Sequence, residues 1–231
     1  MNVNLKNYAI ILASGVGSRF GSGLPKQFLE INGRTILERS IDIFEKNDNI
    51  FEIILVITPE YREKALEILK KNDFKKLKKV LNGGDTRKDS SFIGVSFVNE
   101  TEANVLIHDC ARPFLSQDVL NGCISALKIH DAVDVAIPSS DTVLEVSNGI
   151  IKSIPDRKSL MRSQTPQCFR LSLIKKAHEL SKDDNDFTDD CGLVMKYNLA
   201  EIFVVEGNLE NIKITYPMDE ILAKYFSTFV N

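Results

Sequence analysis

Two kinds of segment alternate along this chain, and that alternation limits its fold more than any other feature. Short apolar runs lie at 8–12, 53–57, 79–81, 104–108, 133–138 and 202–205. Between them, 35–46, 60–71, 89–98 and 116–130 carry apolar residues at the spacing of a single helix face. The run at 53–57, Ile-Ile-Leu-Val-Ile, has no polar side to turn toward water, so it reads as a central strand covered on both faces. Short β-branched strands, each followed by a helix, predict a three-layer, Rossmann-like α/β sandwich with a mostly parallel sheet. The 231 residues suffice for one such domain with a core on both sides of its sheet, and 1–231 is read as a single domain.

One segment departs from the alternation. Residues 142–154, TVLEVSNGIIKSI, repeat with period two around Asn148-Gly149, a pair that accepts the positive φ angles of a tight hairpin turn. A late hairpin has no obvious place inside a parallel sheet, so an inserted arm at about 139–161 is expected to project from the domain. Two-stranded ribbons are marginal alone, and a partner subunit is the expected support. The lysine-rich run KKNDFKKLKK at 70–79 reads as a solvated helix end.

Composition narrows the function classes. With 29 Lys+Arg against 32 Asp+Glu, the net charge of −3 gives no general attraction to nucleic acid or anionic lipid, so any basic chemistry must be local. There is no run of about 18 apolar residues to span a membrane, and residues 1–6 lack the apolar core of a signal peptide. Cys110, Cys123, Cys168 and Cys191 are widely spaced with no CxxC pair, which argues against a zinc site or a disulfide framework. A reducing, cytoplasmic setting is the expectation.

The stretch after the first apolar run, LASGVGSRFGSGLPKQF at 12–28, is built to hold phosphate. Leu12, Ala13, Ser14 and Gly15 bring backbone N–H groups to the carboxyl end of a strand, where an anion can approach closely. The stretch is neither a Walker A loop nor a regular GxGxxG, and no acidic residue follows the second strand to bind a ribose. That speaks against a nicotinamide-dependent oxidoreductase. What the loop adds instead is cations, Arg19 and Lys26, suited to a site where a phosphoanhydride breaks and charge accumulates.

Further stretches fall on the same sheet edge. NGGDTRKDSS at 82–91 offers Gly83, Asp85 and Ser90 as groups that could read a base, Ser90 serving alternatively as a helix N-cap with Asp89 in the first turn. Arg87 is either a structural ion-pair partner or a ligand group. LIHDCARPF at 106–114 places Asp109 just past a buried strand, where it could bind Mg²⁺ or a ribose hydroxyl, or simply pair with Arg112. His108 reads as a packed strand-end histidine, and His130 and His178 lack metal-type partners. Lys213 alternates with Ile212 and Ile214 in a short β-like run, so it faces either solvent or a cleft.

Taken in order, LASGVGSRFGSGLPKQF, GGDTRKDS, HDCARP, QTPQ, FTDD and GNLENIKIT resemble the motifs of the CTP-dependent polyol-phosphate cytidylyltransferases. These are the 2-C-methyl-D-erythritol 4-phosphate and ribitol 5-phosphate enzymes. The resemblance runs from about Tyr8 to the C-terminal helix; one block alone is weak, whereas six in sequence are specific. It implies a nucleotidyltransferase fold, CTP as co-substrate and a divalent cation such as Mg²⁺. It implies that 12–15 with Gly83, Asp85 and Ser90 bind the cytidine and its phosphates, with Asp109 by the ribose and metal. Arg19 and Lys26 match the pair that stabilises the transition state, joined by Lys213. Thr142, Arg157, Thr165, Thr188 and Lys213 match positions that hold the polyol phosphate. In the family the hairpin arm mediates a homodimer, and the residue matched by Arg157 reaches the neighbouring site. Ser139 and Ser140, where the methylerythritol enzymes often carry Arg or Lys, favour ribitol 5-phosphate as the acceptor, as does SIPDRKSLMRSQTPQCFR at 153–170; VVEGNLENIKIT at 204–215 looks equally like the methylerythritol branch.

Overall fold

The structure, a computed structural model, describes residues 5–15, 25–184 and 187–229. In chain order its strands are β1 (Asn7–Ala13), β2 (Glu30–Ile31), β3 (Arg34–Thr35), β4 (Ile50–Ile57), β5 (Leu77–Asn82) and β6 (Asn104–Asp109). They continue with β7 (Ala132–Pro138), β8 (Glu145–Ser147), β9 (Ile150–Ser153), β10 (Met161–Ser163), β11 (Gln167–Arg170) and β12 (Ile202–Glu206). The helices are α1 (Ile36–Glu45), α2 (Arg62–Leu69), α3 (Arg87–Phe97), α4 (Gln117–Ala126), α5 (Leu171–Leu180), α6 (Asp190–Lys196) and α7 (Pro217–Phe226).

Eight strands form the main sheet. β5, β4, β1 and β6 run parallel, as do β7 and β12, and β11 lies antiparallel between β6 and β7. β10 continues that antiparallel line beside the end of β7. Period-two alternation sorts the central strands between two cores. Ala9, Ile11, Ile53, Leu55 and Leu106 face one side, where α1, α2, α4 and α7 contribute Ile41, Phe44, Ala65, Leu120 and Ala223. Ile10, Leu12, Ile54, Val56 and Ile107 face the other, against Val95 of α3, Ile174 of α5 and Val194 of α6. Each such aliphatic side chain stabilises the fold by about 1.5–3 kcal/mol relative to exposure. The predicted three-layer, mostly parallel α/β architecture is the one observed.

Three sequence expectations need correction. Only the first residues of the lysine-rich run end a helix, α2; from Leu77 the run becomes edge strand β5, where outward lysines are at home because they discourage pairing with another chain. The segment carrying Lys213 is not a strand; residues 211–215 are held by single contacts described below. Thr86, not Ser90, caps α3: its hydroxyl accepts from Asp89 N, and Asp89 reciprocates to Thr86 N in a capping box. Helices α5 and α6 and the antiparallel strand β10–β11 are not among the segments that spacing identified.

The hairpin at 142–154 is present. β8 and β9 pair only with each other, and the turn residues Asn148 and Gly149 have φ of 52° and 75°. Val146, Ile150, Ile151 and Ile154 are all more than half exposed.

One helix–sheet contact can be tested directly. A Cβ on Gly94 of α3 would lie 2.5 Å from Ile10 Cγ2 and 3.2 Å from Val56 Cγ2, both in the buried sheet. Gly94→Ala is expected to lower stability in urea unfolding by about 1–3 kcal/mol through overpacking, despite the better helix propensity of alanine.

Candidate active site

The carboxyl ends of β1, β4, β5 and β6 open into one cavity of about 580 Å³. Its wall includes Leu12, Ala13, Ser14, Gly15, Lys26, Gly83, Asp85, Arg87, Asp109 and Lys213. Most positions that the sequence singled out for nucleotide binding or catalysis therefore meet in one place. Arg19 lies outside the described residues.

The start of the glycine-rich stretch, residues 12–15, is tied down through its carbonyls. Gln27 Nε2 donates to Ala13 O at 3.0 Å and Thr58 Oγ1 donates to Ser14 O at 2.9 Å, while Cys110 N donates to Leu12 O at 3.0 Å. Gly83 closes the loop from the other side: a Cβ there would lie 2.8 Å from Ser14 Cβ and 2.9 Å from Ser90 Oγ, so only glycine lets the two loops touch. Ser90 is buried behind that wall, accepting from Gly84 N at 3.2 Å and donating to Thr86 O at 3.0 Å. It shapes the cavity rather than lining it.

Charge in the cavity centres on Asp109. Its Oδ1 accepts from Arg87 Nε at 3.1 Å and its Oδ2 from Lys213 Nζ at 2.7 Å. Burial alone would raise its pKa, but Arg87 and Lys213 hold the carboxyl well below the usual carboxylate range. Arg87 forks onward to Asp190 Oδ2 at 2.7 Å, and its Nη2 is buried with no hydrogen-bond partner among the described residues. Arg87 is thus an ion-pair partner that also lines the cavity, whereas Arg112 is not paired with Asp109. Arg112 donates instead to Asn211 O at 2.8 Å and Ser163 O at 3.3 Å.

Those contacts explain how Lys213 reaches the cavity without a strand to carry it. Asn211 Nδ2 donates to Thr165 O at 2.9 Å, and Ile214 N donates to Ala111 O at 2.8 Å, so the segment is pinned on both sides of the lysine. Ile214 is buried on one side, and the ammonium of Lys213 faces the cleft. Of the two orientations that alternation left open, the cleft is the one adopted.

The remaining positions lie elsewhere in the chain. The Thr165 hydroxyl accepts from Asp109 N at 3.1 Å and pairs with His108 Nδ1 at 3.0 Å, placing it behind the carboxylate. His108 is fully buried and its pKa is pushed down to about 4 by that burial, so it is a neutral, packed histidine at pH 7, as expected. Thr142, Arg157 and Thr188 are exposed and outside the cavity wall; Arg157 Nη1 donates to Ser140 O at 3.3 Å at the base of the hairpin. Sequence reasoning did not find Gln27, Thr58, Gln167 or Asp190. Gln167 receives Asp190 N on Oε1 at 2.9 Å and donates to Asp189 Oδ2 at 3.0 Å and Asp134 Oδ1 at 3.2 Å. Gln167 lies in QTPQ and Asp190 in FTDD, both quoted as motifs, but neither was given a role; the adjacency of these two motifs in the fold is not visible in the sequence.

Among the described residues no group of three or more His, Cys, Asp or Glu is arranged to hold a metal ion. Asp109 can supply one carboxylate, which fits a cation held chiefly by a nucleotide's own phosphates. No helix of the described residues is long and apolar enough to cross a membrane.

A mostly parallel α/β sheet with the start of a glycine-rich loop, an opposed Gly83 loop and cations over one strand-end carboxylate is the arrangement of a nucleotidyltransferase. A family model described as "IspD: 2-C-methyl-D-erythritol 4-phosphate cytidylyltransferase" matches residues 8–228. The chain belongs to this IspD family of cytidylyltransferases. It is 40% identical over 230 residues to the "Bifunctional ribulose 5-phosphate reductase/CDP-ribitol pyrophosphorylase Bcs1" of Haemophilus influenzae, covering 96% of this chain but only 48% of that protein. It is 38% identical to the 2-C-methyl-D-erythritol 4-phosphate cytidylyltransferase of Thermobifida fusca, over 94% of this chain and 91% of that one. The crystal structure of 4-diphosphocytidyl-2C-methyl-D-erythritol synthase from Anaerococcus prevotii superimposes with a TM-score of 0.86 at 32% identity, covering 97% of each chain.

A second buried carboxylate, Asp134 of β7, gives a pH prediction. Burial raises Asp134 to about 6, against opposing hydrogen bonds from Ser163 and Gln167, and the nearby Asp189 adds to the rise. The folded protein therefore binds a proton there that the unfolded chain, with a pKa near 3.8, does not. That contribution is complete below about pH 4 and is lost as pH rises through about 6, at most about 3 kcal/mol. His108, whose pKa falls to about 4 on burial, acts in the opposite direction over the same range, so the readout is a difference: in urea unfolding the stability of the wild type relative to Asp134→Asn should fall by about 2 kcal/mol between pH 4.5 and 7.5.

Proposed function

We propose that this cytidylyltransferase transfers CMP from CTP to D-ribitol 5-phosphate, giving CDP-ribitol and pyrophosphate. The observation that carries the transfer chemistry is the convergence of the glycine loop, Lys26 and the Arg87–Asp109–Lys213 ion-pair chain on one cavity. Ribitol 5-phosphate is supported by the CDP-ribitol pyrophosphorylase named in the H. influenzae relative and by Ser139 and Ser140 at the start of the arm. A second reading, 2-C-methyl-D-erythritol 4-phosphate as acceptor in isoprenoid biosynthesis, is favoured by the family model and by the T. fusca and A. prevotii proteins.

A phosphate oxygen of the acceptor attacks the α-phosphorus of CTP in line with the departing pyrophosphate; no covalent enzyme intermediate is required. Two anions must be brought together, and negative charge gathers about the α-phosphate. The backbone of 12–15 and the Gly83 loop cradle the nucleotide, while Lys26, Lys213 and Arg19 offset the charge and hold the reacting groups in line. A divalent cation with Asp109 as its protein ligand would neutralise the triphosphate when bound. Thr142, Arg157, Thr165 and Thr188 are assigned to the polyol phosphate. Because Arg157 and Thr142 lie at the base of a hairpin and outside the cavity of their own chain, the arm would deliver them to a partner's site in a homodimer. Its exposed Val146, Ile150, Ile151 and Ile154 supply the apolar surface for that contact.

Pyrophosphate release from CTP, assayed with each of the two acceptors, is expected to be faster with D-ribitol 5-phosphate. The reverse preference would select the second reading, and no release with either would remove both. Lys26→Ala should lower turnover by roughly 10²–10³ while CTP affinity changes less. Arg157→Ala should instead raise the acceptor KM about tenfold or more, as loss of a charge-assisted contact would; an unchanged KM contradicts its role.

A further inference from the structure

A buried polar chain joins the first turn of α3, beside the nucleotide cavity, to the start of α6. Asp190 is 1% exposed. Its Oδ2 accepts from Arg87 Nη1 at 2.7 Å, its Oδ1 accepts from Ser91 Oγ at 2.5 Å, and its backbone N donates to Gln167. The neighbouring Lys88 donates to the carbonyls of Ser181 and Asp184 at 2.6 and 2.5 Å, so α3 grips this region at a second point. From Arg87 the chain continues through Nε to Asp109 and from Asp109 to Lys213.

Burying a carboxylate is costly, and a buried ion pair is often no more stable than an apolar replacement. Asp190 has to be accounted for by what it orients. The guanidinium of Arg87 is planar, and two of its nitrogens are committed to two different carboxylates, which fixes its plane in the cavity wall. The third, Nη2, is buried there without a partner among the described residues. A purely structural bridge gives no reason to leave that donor unsatisfied.

We propose that Asp190 is a positioning residue for nucleotidyl transfer, holding Arg87 so that its Nε aligns Asp109 and, through Asp109, the ammonium of Lys213. The inference rests on the cytidylyl-transfer reading given above. Asp190 touches neither substrate in this scheme; it acts through Arg87.

The test is a double-mutant cycle between Asp190→Asn and Arg87→Lys, read by calorimetric CTP binding and by kcat and acceptor KM. Arg87→Lys keeps the charge but cannot fork to two carboxylates. Each single variant should lose about 10- to 100-fold in kcat, the size seen when a partner that orients a functional group is removed, with acceptor KM within twofold of wild type. CTP binding should weaken in both singles. Asp190→Asn added to Arg87→Lys should cost less than a further twofold in either readout. Single-variant losses below twofold, or losses that multiply in the double variant, would overturn the proposal. Should Asp190→Asn fail to fold, Ser91→Ala removes the hydroxyl that holds Oδ1, beside which only His178 Nε2 at 3.8 Å remains, while keeping the charge; it is expected to lose 3- to 10-fold, and less than twofold is the overturning result. If the wild type turns over neither acceptor, the functional reading fails, and the CTP-binding cycle still decides the role of Asp190.

Discussion

The cavity depends on one compensated charge. Asp109 ends a fully buried strand, where an isolated carboxylate would be driven to protonate. Arg87 and Lys213 prevent this from opposite directions, one from the first turn of α3 and one from a segment just before α7. Three parts of the chain distant in sequence are therefore bound to one another in the wall of the cavity. Removing either cation would leave the other partners with a charge they cannot solvate, so the arrangement stands or falls as a unit.

The two loops over the sheet edge follow a different logic, that of close approach. Gln27 and Thr58 occupy carbonyl oxygens of the first loop. The missing side chain of Gly83 lets the second loop sit against the first. Backbone donors can then serve a phosphate without large rearrangement.

The central strands were legible because β1, β4 and β6 are apolar on both faces, a pattern that only a covered sheet satisfies. The hairpin was legible because Asn148-Gly149 tolerates left-handed backbone. Lys26 and Asp109 were legible as candidates from residue type and from their places after strands; for Lys213 alternation left solvent or cleft open, and the resemblance supplied its role. Strand β11 was not, because Gln167-Cys168-Phe169-Arg170 is too short to show a period and is recognisable only between β6 and β7. The pairing of Arg87 with Asp190 spans more than a hundred positions and leaves no local trace; Arg112, nearer in sequence to Asp109, was the more obvious partner and is used elsewhere.

The antiparallel line of β10 and β11 has an evolutionary consequence. Ser139 N donates to Leu160 O at 3.0 Å, so the arm leaves β7 and returns to β10 through one backbone clasp. Everything between those two residues hangs outside the sheet's pairing. Descendants can lengthen, shorten or rewrite that excursion without altering any strand register of the main sheet.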